Sequence, residues 1–274
     1  MGYPWMALEW DGQTATISGL AYDDNTRSDA FIAAKSVFDT DPIAGPLVQR
    51  VINNMDVRDT ASAIAIRLTE ELAGDGYGWL RVVMAGNVAT LVGAAPDLTA
   101  KEAGYRAGRS TVESDLDAGQ LVNIVVDAIA VVGESSPVGT ALIDLGSYAS
   151  ASECQNAFIE VMTDRRVEFE PGESVVNNDS ARLLDAITGV ALLCETHDIE
   201  IEGHTDLLGR DDLNMDLSQR RASAVRDYLM AYGVEPQALT ARGYGDSRPL
   251  GLDEVSDVDS GNRRTVFVVR PRTN

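Results

Sequence analysis

The chain has 274 residues, 45% apolar and 24% charged, a composition of folded domains rather than disorder and a length that points to two or three of them. Its 43 acidic against 22 basic residues leave a net charge of −21, which repels nucleic-acid phosphate and anionic lipid headgroups, so no nucleic-acid partner is expected. No stretch approaches the roughly eighteen consecutive apolar residues of a membrane helix, and "MGYPWMALEW" at the start has neither the charged nor the apolar region of a signal peptide.

The first half repeats itself. At an offset of 74, "WMALEWDGQTATISGLAYD" (residues 5–23) lies over "WLRVVMAGNVATLVGAAPD" (residues 79–97) without a gap. Trp5 falls on Trp79, Gly12 on Gly86, Thr16 on Thr90 and Gly19 on Gly93, and Ala44, Gly45, Leu47 and Val48 fall on Ala118, Gly119, Leu121 and Val122. A fixed register with its glycines kept signals duplicated domains. Each copy reads as two alternating strands around a Gly turn, then a helix, then a strand. In the second copy the helix runs through "TAKEAGYRAGRSTV" and the last strand through "LVNIVVDAIAVVG", too short and too interrupted by Asp127 to span a bilayer. A further helix, "TASAIAIRLTEELAG", precedes the second copy, with Ile64, Leu68 and Leu72 at helical spacing and Gly74 as its stop. The first copy has no room for that helix before Trp5, so the chain is expected to begin partway into a domain of a longer precursor.

This αββαβ plan, with G-x-x-x-T-(L/I)-x-G at Gly12–Gly19 and Gly86–Gly93, resembles the BON domain, a small module of bacterial envelope proteins. The resemblance implies contact with a membrane, an envelope polymer or a partner protein. Trp5 and Trp79 are expected to pack in the core or at its rim, as large apolar side chains usually do.

"GESSPVG" (residues 133–139) breaks the pattern. The domain reading is then residues 1–57 and 58–134 for the two repeats, 135–149 as a linker, and 150–274 as a third domain. In that last part "ASECQNAFIEVM" reads as a helix and "RRVEFEPGESVV" as a strand leaving into a loop. "SARLLDAITGVALLCE" reads as an amphipathic helix with Leu183, Leu184, Ile187, Val190, Leu193 and Cys194 inward. "DIEIEGHTD" alternates as a strand, "DLSQRRASAVRDYLMAYG" is a helix ended by Gly233, and "LTARGYG" and "RRTVFVV" supply the remaining strands. The fold class expected is an α+β, α/β-sandwich type: two αββαβ repeats, then a βαβαββ domain with its helices on one sheet face.

One residue on the long helix demands an explanation. Leu217, Ala224, Val225, Tyr228 and Leu229 make its apolar stripe, and Arg221, four residues from both Leu217 and Val225, sits on it. A guanidinium cannot give up its proton and is costly to bury without an anion. Asp206, closing the preceding strand, is the nearest candidate. Either the two form an internal ion pair, or they line a pocket for a ligand carrying both a carboxylate and an ammonium.

The surrounding motifs occur in order: "GHTDLLG", "N-x-x-LSQRRA", "YLMAYGV", "ARGYGDSRP" and "NRRTVFVV". Together they resemble the OmpA-like peptidoglycan-binding domain across residues 166–269. The resemblance implies that Asp206, of the "TD" step, grips the ammonium of diaminopimelate in a peptidoglycan stem peptide. It implies that Arg221, the second arginine of "LSxRRA", grips its carboxylate, to which a guanidinium offers a two-pronged fit. Asn214 and Arg264 would be secondary contacts, and Thr205 would add a hydrogen bond. Two departures fall nearby: Val258 and Asp259 stand where the family usually has Gly-Arg, and Leu213 where it often has tyrosine.

Other chemistry finds little footing. His197 and His204 are the only histidines, and no H-x-x-x-H or C-x-x-C spacing exists, so neither a metal nor a cofactor is expected. "DEVSDVDSGN" (residues 253–262) lacks EF-hand spacing and reads as a solvated acidic loop. No hydrolase or nucleotide motif is present, and no enzyme is expected. Both resemblances imply a periplasmic, cell-envelope location, with a membrane tether expected in the precursor. That oxidising compartment favours a disulfide between Cys154 and Cys194. The expected function is non-covalent peptidoglycan binding, with the repeats contacting membrane or envelope proteins. The alternative is a pore-forming or solute-uptake envelope protein.

Overall fold

The computed structural model describes residues 6–21, 24–40, 47–57, 60–145, 149–250 and 261–272, in two compact units, Met1–Arg67 and Leu68–Asn274. Trp5, Val258 and Asp259 lie outside the described residues.

In the first unit β1 (Met6–Asp11) and β2 (Thr14–Ala21) form an antiparallel hairpin, α1 (Asp24–Thr40) follows, and β3 (Arg50–Val57) returns parallel to β2. The two-residue turn begins at Gly12 with φ 58°, the left-handed conformation that a tight hairpin favours and glycine adopts at no cost. Ala15, Ile17, Ala30, Phe38 and Met55 are buried together, and Trp10 meets Phe38 edge-on at 6.0 Å.

The boundary between the units falls within α2 (Thr60–Gly74). In the second unit β4 (Leu80–Ala85), β5 (Val88–Ala95), α3 (Leu98–Ser114), the one-turn α4 (Ala118–Leu121) and β6 (Ile124–Val131) follow. Strands β4, β5 and β6, and helix α3, each begin 74 residues after their counterparts β1, β2, β3 and α1. The pairing is the same as well: Leu80 faces Gly93 as Met6 faces Gly19, and Val88 faces Ile124 as Thr14 faces Arg50. Trp79 is half-buried, its ring edge-on to Tyr77 and pressed against Gly104 of α3.

The stretch read as a linker contains a helix. Ser136 caps α5 (Pro137–Asp144) by accepting from the Gly139 N–H, and Val138, Ala141, Leu142 and Leu145 are buried in the main core of the unit. That core also takes Val88, Val92, Ile124 and Val126 from the second sheet and Leu183, Ile187 and Val190 from α7 (Ala181–Leu193). The expectation of a one-faced α7 is therefore corrected: every residue from Leu183 to Leu192 is buried. A helix apolar all round is one covered all round. At Gly189 a β-carbon would stand 3.1 Å from Val126 and 3.4 Å from Val88, so this glycine sets the close approach of α7 to the second sheet. Arg182 fastens the same junction, pairing with Glu102 at 2.5 Å and Asp127 at 3.1 Å and lying over the Tyr105 ring.

The third sheet has the order β8-β7-β9, from β7 (His197–His204), β8 (Leu239–Gly245) and β9 (Thr265–Pro271), with β8 parallel and β9 antiparallel to β7. Ile199, Ile201 and Phe267 face the core shared with α6 (Ala151–Met162), α7 and α8 (Asp211–Ala231). Glu200, Glu202 and His204, alternating with them on β7, point to the other face. There Arg270 and the Tyr244 hydroxyl meet Glu200, and Arg248 meets Glu202. Among the described residues, the segment expected as a leading strand makes only a single bridge, Phe169 with Val176, within a hairpin turning at Gly172. Cys154 on α6 and Cys194 at the end of α7 form a disulfide. No helix among the described residues is long and apolar enough to cross a membrane.

Candidate functional site

Where β7 ends, its neighbours fix what comes next. His204 N–H donates to the Arg264 carbonyl at 3.0 Å and Thr205 N–H to the Gly245 carbonyl at 2.9 Å, so Asp206 emerges between the end of β8 and the start of β9. Gly203 lets α8 lie against this point: a β-carbon there would be 2.3 Å from the Ser218 carbonyl oxygen. Ser218 is buried and its hydroxyl bridges the Met215 carbonyl and the Gly245 N–H.

The buried stripe of α8 is Asn214, Ser218, Ala222, Val225 and Leu229. Val225 and Leu229 are buried as expected, but the line continues through Ala222 and Ser218 rather than Arg221 and Leu217, which puts Arg221 on the flank, half-buried. Its Nε donates to the Glu173 carbonyl at 2.9 Å and its guanidinium lies 5.0 Å from the centre of the Phe169 ring. Both contacts come from the hairpin of residues 166–177. Asp206 does not close on it. Its Oδ2 takes Arg263 at 2.7 Å and its Oδ1 takes the Leu208 N–H at 3.3 Å.

Arg221 and Arg263 line a cavity of about 150 Å³ together with Arg166, Glu168, Phe169, His204 and Arg264, the size that holds a benzene-sized group; Asp206 is not one of its lining residues and reaches it through Arg263. Burial lowers the Arg221 pKa, the charge of Arg263 lowers it further, and Asp206 works the other way. The Arg264 pKa is likewise lowered by burial, and its guanidinium donates to backbone carbonyls, those of Asn262 and Arg248. Two half-buried guanidiniums thus line one cavity, and neither is within ion-pair distance of a carboxylate among the described residues. In a chain with twice as many acids as bases, that arrangement leaves positive charge in place for an incoming anion.

The remaining expected site residues support the walls. Asn214 is buried, and its amide donates to the Leu208 carbonyl at 3.0 Å, to Asp246 at 3.3 Å and to the Asp206 carbonyl at 3.5 Å. It holds the loop that carries Asp206. Thr205 is 5% exposed and its hydroxyl has no partner among the described residues. His204 stacks on Tyr244 with ring centres 5.6 Å apart, and Nε2 stands 3.3 Å from Glu202. Burial and then Arg264 push its pKa down. With Nε2–H donating to Glu202, Nδ1 carries the lone pair and is left without a partner among the described residues.

Three contributors escaped the sequence reading: Arg263, Phe169 and the Glu173 carbonyl. Arg263 stands in the same "NRR" as Arg264, and nothing in the spacing says which of the two turns toward Asp206. Among the described residues no group of three or more His, Cys, Asp or Glu is placed to hold a metal.

The OmpA family model matches residues 168–263, a span holding Phe169, Asp206, Asn214, Arg221 and Arg263. Photosystem I P700 chlorophyll a apoprotein A2 of Gloeobacter violaceus is 33% identical over 118 residues, 41% of this chain and 14% of that protein, so the chain spans only a small part of that relative. The peptidoglycan-associated lipoprotein of Brucella melitensis biotype 1 is 30% identical over 146 residues, 52% of this chain and 86% of the lipoprotein. A crystal structure of the peptidoglycan-associated lipoprotein from Burkholderia pseudomallei is 28% identical, covers 40% of this chain and 93% of its own, and superposes with a TM-score of 0.36. With nearly the whole of the Brucella lipoprotein covered and the model matched over the site itself, the chain belongs to the OmpA family.

Proposed function

We propose that the chain holds peptidoglycan non-covalently in the bacterial cell envelope, through the diaminopimelate of a stem peptide. Arg221 takes the carboxylate and Asp206 the ammonium of its zwitterionic end. The observation that carries this reading is Arg221 itself: a half-buried guanidinium, braced by Phe169 and the Glu173 carbonyl, that lines a cavity and pairs with no carboxylate among the described residues. The peptidoglycan-associated name of the Brucella relative supports the polymer. Asn214 and Thr205 keep the Asp206 loop in place, and Arg264 adds positive charge to the wall. The function is binding, without a bond made or broken.

The two αββαβ repeats are read as BON-like modules meeting a membrane surface or an envelope protein, so that the chain bridges the wall to a second surface. Their shared offset and shared strand pairing support a common origin. A periplasmic, cell-envelope location is part of the same reading.

Co-sedimentation tests the ligand. Lysine-type peptidoglycan presents an ammonium without the neighbouring carboxylate. The chain is expected to sediment with diaminopimelate-type sacculi and to stay in the supernatant with lysine-type sacculi. Equal retention on both would remove Arg221 from its role.

A further inference from the structure

The carboxylate assigned to the ligand's ammonium is already occupied. Arg263 reaches Asp206 at 2.7 Å, so the protein's own guanidinium stands where a ligand cation would pair with this acid. The Arg263 side chain is 47% exposed and that of Asp206 15%, and an ion pair with so exposed a partner contributes little and exchanges readily. Arg263 also has somewhere to go. It lines a second, open groove of about 600 Å³ beside the cavity, whose walls carry Asp164, Glu168 and Asp179 as well as Arg165, Arg166 and Arg264. Arg263 and Arg221 line the same cavity with the same sign, and each favours an arriving carboxylate, whereas only Arg263 competes with an arriving ammonium.

We propose that Arg263 is a displaceable counter-ion for Asp206, one that holds the cation position and yields it to the ligand's ammonium, and so sets how strongly the site selects an ammonium beside a carboxylate. This rests on the ligand reading given above. A ligand with carboxylates alone leaves the Asp206–Arg263 pair intact and gains from its charge. A ligand with both groups exchanges one cation for another at Asp206.

Two small probes separate these cases: meso-diaminopimelate, and pimelate, the same seven-carbon dicarboxylate without amino groups. Both are titrated by NMR into the full chain, wild type and Arg263→Gln. The ratio of affinities, diaminopimelate over pimelate, is expected to rise about two- to fivefold in Arg263→Gln. Arg263→Lys, which keeps the charge, is expected to return the ratio toward wild type and stands in should the Gln variant fold poorly: a lysine variant whose ratio departs from wild type overturns the proposal. If both probes weaken by the same factor, Arg263 is a plain contact to carboxylate, and if neither changes, the ion pair is a bystander. Either result overturns the proposal. Wild type that sediments with diaminopimelate-type sacculi while the ratio stays flat removes this proposal alone. Wild type that neither sediments nor binds either probe removes the ligand reading, and the proposal with it.

Discussion

Asp206 is joined to Arg263 at 2.7 Å, while Arg221, the arginine that sequence spacing sets opposite it, donates to the Glu173 carbonyl and rests against Phe169. The internal Asp206–Arg221 ion pair, one of two readings the sequence left open, is not formed. Arg221 keeps its charge beside a cavity. Its position depends on a hairpin some fifty residues earlier in the chain rather than on the acid nearest in sequence.

Phe169→Leu tests that dependence. Leucine keeps most of the packing of Phe169 against the core but lacks the ring face that attracts the guanidinium, an interaction of about 0.5–1 kcal/mol at an exposed site. Retention on diaminopimelate-type peptidoglycan is expected to weaken about two- to fivefold, with the melting temperature nearly unchanged. Unaltered retention in quantitative sedimentation would show that the ring does not position Arg221.

Gly203 sets how close α8 comes to the sheet. Gly203→Ala places a methyl group 2.3 Å from the Ser218 carbonyl oxygen, a backbone atom of α8. The helix has to move, at a cost of about 1–3 kcal/mol as for other overpacked sites. Urea unfolding is expected to show a lower midpoint with an unchanged slope. A wild-type midpoint would mean that α8 is free to shift outward there.

Asp185 on α7 is 6% exposed and accepts the Tyr228 hydroxyl at 2.6 Å. Burial raises its pKa, and the Tyr228 hydrogen bond with Arg109 and Arg182 pulls back only part of the way. The folded chain therefore holds this proton to higher pH than the unfolded chain does. The stability it contributes is fully present below the ordinary aspartate value of about 3.9 and is lost as pH rises through the raised one. Asp185→Asn keeps an acceptor for Tyr228 and removes the titration. The stability of wild type minus that of the variant, from urea curves, is expected to fall as pH rises from about 4 through the acidic range. A difference that does not vary with pH would contradict the shift.

Periodicity and punctuation made much of this structure legible. The offset of 74 located two sheets whose strands pair alike, because alternation and glycine turns are local signals. Long-range packing was less visible. Gly133–Gly139 has the composition of a linker, yet Val138, Ala141 and Leu142 are buried because α7 has a second apolar face to cover. No local pattern shows that. The same limit applies at the site. Asp206 and Arg221 stand out from charge and helix spacing, but the pattern put Arg221 on the buried stripe, whereas it lies on the flank of α8, half-buried at the cavity. Arg263, just ahead of β9, and Phe169, in the hairpin of residues 166–177, are brought together at the cavity only by tertiary structure.

The most direct measurement is co-sedimentation of wild type, Asp206→Asn and Arg221→Ala with purified diaminopimelate-type peptidoglycan, each first shown to be folded by circular dichroism. A charge-assisted hydrogen bond contributes about 1.5–3 kcal/mol. Wild type is expected to sediment and folded Arg221→Ala to lose at least about tenfold in retention, with Asp206→Asn also weakened. Folded variants retained as well as wild type would contradict the account, leaving Asp206 and Arg221 as structural residues and the peptidoglycan reading without its mechanism.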